Sequence, residues 1–135
     1  MKKKCFVHVG YGKTATTYSQ NSFRWLQQND LLKDLDYPLE VSSKLPFDAN
    51  YPGNAHFIAK VLNKKHPGDP LDHLKVLLEK CSKPNLLLSS EDFSITPTEG
   101  YLWLINKLNS FGYEVEFIIC VKPLFETAYS YYLQK

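Results

Sequence analysis

Residues 10–17 read Gly-Tyr-Gly-Lys-Thr-Ala-Thr-Thr, which sets two glycines, one lysine and three threonines in a single short stretch. The run before it, residues 5–9, is apolar and β-branched, and the run after it has no Gly or Pro through residue 28. That pattern is a strand, a flexible turn and a helix start, where unpaired backbone N–H groups and the positive end of the helix dipole face outward. A lysine and hydroxyls added to such a turn make a cradle for a phosphate or a sulfate. The same residues also fit a plainer reading, a Gly-rich turn followed by a solvated lysine. A Walker A loop does not fit, because it requires glycine five positions before Gly12, where this chain has Val7.

Two further polar clusters follow apolar runs. Ser90-Glu91-Asp92 comes after Asn-Leu-Leu-Leu-Ser at 85–89. A carboxylate there, partly desolvated, can take a proton from a hydroxyl or amine, or it can cap a turn or pair with a lysine. Lys122 follows the apolar run ending at residue 121, with Ser130 eight positions later. Taken alone they read as a sheet-edge lysine and a helical serine bonded to its own backbone.

The elements that must position these clusters are legible from periodicity. Strands are expected at 5–9, 85–89 and 114–121. Helices are expected at 14–28, with Thr14 as its cap and Tyr18, Ser22, Trp25 and Leu26 at helical spacing, and at 54–63, 70–80, 97–111 and 124–134. Pro70 opens one helix and Gly112 closes another as a left-handed cap. Residues 36–53, with Pro38, Pro46 and Pro52, read as a long irregular connection of the kind that carries substrate contacts. Strands alternating with helices predict right-handed crossovers and a parallel sheet covered by helices, with ligands beyond the carboxyl ends of the strands. All three polar clusters fall at such ends. The chain stops inside a segment of helical spacing, so we expect an incomplete domain.

The clusters together carry a resemblance. HVGYGKTATTY resembles the 5′-phosphosulfate loop of sulfotransferases that use 3′-phosphoadenosine 5′-phosphosulfate (PAPS), whose pattern is Lys-[Ser/Thr]-Gly-Thr-Thr after the first strand. Lys13, Thr14, Thr16 and Thr17 match it, and Ala15 replaces the usual glycine. LLLSSEDF resembles the Ser-Ser-Glu strand end of bacterial members. FIICVKPLFETAYSYYLQ resembles the 3′-phosphate segment, with Lys122 standing for the usual arginine, a point charge in place of a planar fork. The resemblance spans residues 4–134. It implies a three-layer α/β domain like the P-loop NTPases and transfer of a sulfuryl group from PAPS to a hydroxyl or amine, leaving 3′,5′-adenosine diphosphate, without a metal. It implies a 5′-phosphosulfate site of Gly12, Lys13, Thr14, Ala15, Thr16 and Thr17, 3′-phosphate recognition by Lys122 and Ser130, and Glu91 as general base. His56, in YPGNAHFIAKVL, reads as a packing or loop-bridging residue, and His8 as a satisfied core histidine.

Composition narrows the classes. The chain has 135 residues, 44% hydrophobic, enough for one domain. A net charge of +2 is far from the basic stripe that holds nucleic acid. Cys5, Cys81 and Cys120 have no CxxC spacing, which argues against a disulfide framework or a zinc site and for a reduced, cytoplasmic setting. The N-terminal apolar run is too short for a signal-peptide core or a membrane span. Expected partners are the nucleotide donor and a small-molecule or glycan acceptor. Tyr129, Tyr131 and Tyr132 suit core or subunit-contact positions, compatible with a homo-oligomer. Two other classes stay open: a nucleotide kinase or other NTPase, which needs a Mg²⁺-binding aspartate at a strand end, and a non-catalytic relative that only binds the nucleotide.

Overall fold

The computed structural model describes residues 3–10, 16–39 and 51–120, with the side chains of residues 16, 17 and 120 outside that description. Strands β1 (Lys3–Gly10), β2 (Leu35–Asp36), β3 (Asn85–Ser90) and β4 (Tyr113–Cys120) form one parallel sheet in the order β2-β3-β1-β4. Helices α1 (Thr16–Gln28), α2 (His56–Leu62), α3 (Pro70–Glu79) and α4 (Thr98–Ser110) flank it, and a 3₁₀ turn, Glu91–Ile95, follows β3. The expected α/β class and parallel sheet are present. The segment 124–134, read as a helix, lies outside the described residues.

Local chemistry explains the element ends. Asp69 caps α3 by accepting from the Leu71 N–H at 2.9 Å, with Pro70 at the first helical position, where its missing N–H costs nothing. Gly112 sits at φ +90 after α4, the left-handed closure expected there.

The two faces of the sheet differ in kind. Tyr101 of α4 meets Phe117 edge-on at 5.6 Å, and Phe23 of α1 meets His8 edge-on at 5.7 Å. Phe117 is level with Val7, and side chains alternate along a strand, so α4 and α1 cover opposite faces. On the α4 face, Cys5, Val7, Leu86 and Leu88 join Ile58, Leu74, Phe93 and Leu104 in a dry core. On the α1 face the buried residues include His8, Ser89, Gln20, Asn21 and Arg24. The apolar stripe of α1 is therefore not its buried side: Tyr18 and Trp25 are 69% and 57% exposed, while Gln20, Asn21 and Arg24 are buried. Helical spacing of apolar residues does not mark the buried face here, because α1 covers a polar part of the sheet, where buried hydrogen bonds replace apolar packing.

β2 overlaps the start of the connection expected to be irregular, at Asp36. Buried Asp36 explains it: Oδ2 accepts from the Ser82 and Lys83 N–H groups, both at 2.8 Å, which ties the chain before β3 to β2. With only Leu35 and Asp36 paired to β3, its outer edge is unpaired by strand beyond Leu86. The side chain of Asn54 completes that edge. Nδ2 donates to Leu87 O (2.9 Å) and Pro38 O (3.0 Å), and Oδ1 accepts from the Ser89 N–H (2.8 Å). A side-chain amide thus stands in for the peptide group of a neighbouring strand.

Candidate functional site

The sheet brings the ends of β1, β3 and β4 to one level. Val9 is level with Ser90, and Gly10 with Cys120. β1 lies between the other two, and parallel neighbours are spaced about 4.8 Å apart. The strands that lead into residues 11–17, into the Ser90-Glu91-Asp92 cluster and toward Lys122 therefore end side by side at one edge. From β1 the chain crosses to β3 on one side, and from β3 it crosses back to β4 on the other. The connectivity reverses between β1 and β4, the kind of crevice that open α/β sheets use for ligands.

Not every expected site residue can be placed. Gly12, Lys13, Thr14, Ala15, Lys122 and Ser130 lie outside the described residues. Thr16 and Thr17 open α1, so the loop does lead into a helix N-terminus as its spacing predicted. Glu91 begins the 3₁₀ turn directly beyond β3 and is partly buried. Ser90 caps that turn, its Oγ accepting from the Asp92 N–H at 3.1 Å. Of the two roles open to an acid here, capping falls to the serine, while the Asp92 carboxylate pairs with a histidine: His56 Nδ1 lies 2.9 Å from Asp92 Oδ2. His56 thus bridges α2 to the turn after β3. The N–H direction is off the line to the oxygen, so the contact is electrostatic in this rotamer.

Below this edge sits a buried polar network that sequence reading missed. Gln20 Nε2 donates to Ser89 Oγ (3.0 Å), which lies 2.8 Å from His8 Nδ1. A hydroxyl can accept twice and donate once, so Ser89 accepts from Gln20 and either donates to His8 Nδ1 or accepts from it, according to the His8 tautomer. Arg24 donates to Asn21 Oδ1 (2.9 Å) and lies 4.3 Å over the Tyr51 ring. Tyr37 is fully buried, its hydroxyl accepting from the Asn54 N–H (3.1 Å) and 3.2 Å from the Tyr51 hydroxyl, and burial pushes its pKa well up. The one legible signal was Ser89 closing an otherwise apolar strand. Burial likewise raises the Cys5 thiol, and that of Cys81 to about 11, which keeps both in the poorly nucleophilic thiol form near neutral pH.

His8 is the core histidine expected, and burial lowers its pKa. A depressed folded-state pKa means that the unfolded chain takes up this proton first as pH falls. Stability should therefore drop below about pH 6.5. The loss from this residue grows as pH falls from that of the unfolded imidazole toward the lowered folded-state value. Denaturant titrations at pH 7.5 and 5.5 should show a smaller difference for His8→Asn than for the parent, and equal differences would refute the assignment.

An open cleft of about 480 Å³ lies at the opposite, amino end of the strands, lined by residues that include Lys3, Cys81, Lys83 and Tyr113. We give it less weight than the carboxyl edge, because none of the three clusters reaches it. Among the described residues no group of three or more side chains is arranged to hold a metal ion, and no helix is long and apolar enough to cross a membrane. Fold and site together define a parallel α/β domain in which β1, β3 and β4 end at one edge. Compared with protein-family models, with curated proteins and with solved structures, the chain matches none.

Proposed function

We propose that this chain binds PAPS and is the donor-binding part of a sulfotransferase, built as a three-layer domain like those of P-loop NTPases. The observation that supports the reading best is the strand register: the strands that precede the cradle, the Ser-Ser-Glu cluster and Lys122 are adjacent and end at one level. A nucleotide with phosphates at both ends needs two cationic loops on neighbouring strands, and β1 and β4 are neighbours.

In this reading Lys13 and the N–H groups of residues 12–17 hold the 5′-phosphosulfate, and Thr16 and Thr17 donate to its phosphate. Lys122 and Ser130 bind the 3′-phosphate. Catalysis is alignment plus charge stabilisation. As the acceptor oxygen or nitrogen bonds to sulfur, Glu91 takes its proton, and the bond from sulfur to the bridging oxygen breaks. The electron pair stays on that oxygen, and the charge is neutralised by Lys13.

Calorimetric titration with 3′,5′-adenosine diphosphate tests this. The parent should bind, and Lys13→Ala should bind roughly 10- to 100-fold more weakly, the worth of one charge-assisted contact. Equal affinity in the two proteins, or no binding by the parent, rejects the donor site.

A further inference from the structure

We propose that His56, with its ring held by Asp92, is a second proton acceptor beside Glu91 on the acceptor side of this edge, a role that rests on the donor reading above.

Both partners are anchored by contacts that do not involve the pair itself. The Ala55 N–H donates to Ser89 O at 3.1 Å, which fixes the residue just before α2 against the end of β3. Asp92 is held through its backbone, its N–H on Ser90 Oγ and its carbonyl accepting from Asn63 Nδ2 at 2.8 Å. The Phe57 ring lies against that of His56 at 5.3 Å. The side chains of His56 and Asp92 are 25% and 23% exposed, a partly desolvated setting that still reaches solvent. A carboxylate beside Nδ1 favours the tautomer that carries its proton there, which leaves the Nε2 lone pair free to accept one. Hydrogen bonds of this kind are often misaligned before substrate binds and tighten in the complex, in keeping with the present rotamer.

The sheet puts the pair on the correct side for this work. Donor recognition is assigned to the β1 and β4 ends, while Asp92 leaves the end of β3 on the other side of β1. In the proposed step, Glu91 draws the hydroxyl proton as the acceptor oxygen bonds to sulfur and passes it on to His56 Nε2. The bond from sulfur to the 5′-phosphate oxygen breaks with its electron pair on that oxygen. Sulfate ester, 3′,5′-adenosine diphosphate and an imidazolium at His56 result.

The test has three measurements on the full chain. Nitrogen-15 NMR at pH 8 should find His56 with its proton on Nδ1 and shift it to Nε2 in Asp92→Asn. The same tautomer in both proteins overturns the pairing. Titration with 3′,5′-adenosine diphosphate should give His56→Ala and the parent affinities within about twofold, since donor recognition is assigned to the β1 and β4 ends and His56 meets the turn after β3. Release of that nucleotide from PAPS, followed in water and with phenol as a probe acceptor, should fall about a hundredfold in His56→Ala and recover with added imidazole. Unchanged release, or a loss that imidazole does not restore, overturns the proton role while leaving donor binding standing. Binding without release by the parent removes both Glu91 and His56 as proton acceptors. A parent that does not bind the nucleotide removes the donor reading and this inference with it.

Discussion

Gly53→Ala should cost about 4 kcal/mol of stability, a midpoint lower by roughly 10–20 °C. Two separate penalties add. Gly53 has φ +95, a conformation that strains any residue with a Cβ, and a Cβ built there would lie 2.1 Å from Ser89 O and 2.8 Å from Ser89 C. Those are backbone atoms of a buried strand and cannot rotate aside, so the 51–55 segment must lift off β3. The Ala55 N–H to Ser89 O bond and the Asn54 contacts then go with it. Gly68→Ala is the internal control: its φ is +117, but nothing lies within 4 Å of the added carbon. It should cost only the conformational part, about 1–2 kcal/mol. Equal losses for the two variants in guanidinium titrations would show that close packing on Ser89 does not matter. Because α2 starts two residues after this segment closes on β3, Gly53→Ala should also disturb the His56–Asp92 pair, which the same NMR measurement would detect.

Asn54→Ala should be nearly as damaging, at about 3–4 kcal/mol. The side chain serves the Ser89 N–H and the carbonyls of Leu87 and Pro38, and the residue is 4% exposed. Truncation leaves one donor and two acceptors buried without partners, and that desolvation cost outweighs the small lost apolar contact. Asn54→Asp separates polarity from size. It keeps an acceptor for Ser89 but turns an oxygen toward two carbonyl oxygens, so it should lose at least as much stability at pH 7 as the alanine variant. An aspartate variant as stable as the parent would show that the amide is not bonded as described.

Much of the organisation was legible before any coordinates. Residues 5–9 and 85–89 are dense in apolar side chains because strands buried on both faces demand it, and both are strands. Pro70 and Gly112 mark helix ends because a missing N–H and left-handed closure depend on one residue's own chemistry. α1 was legible as a helix but not in its orientation. Its apolar residues Tyr18 and Trp25 face outward, and its buried side can be recognised only once Ser89 and Tyr51 are opposite it. β2 escaped notice because two residues cannot show a period of two, and its existence depends on Asp36 meeting N–H groups 46 and 47 residues away.

The candidate site divides in the same way. Residue types and spacing alone determined that an anion cradle, a carboxylate pair and a lysine each follow a strand, because those features are local: a turn needs glycine, and a buried strand needs an apolar run. Strand order and register were decided by tertiary structure, since hydrogen bonding between distant segments leaves no local pattern. That is how the strands leading into three clusters separated along the chain came to end at one edge, and how His56, read from the sequence as a packing or loop-bridging residue, came to lie beside Asp92.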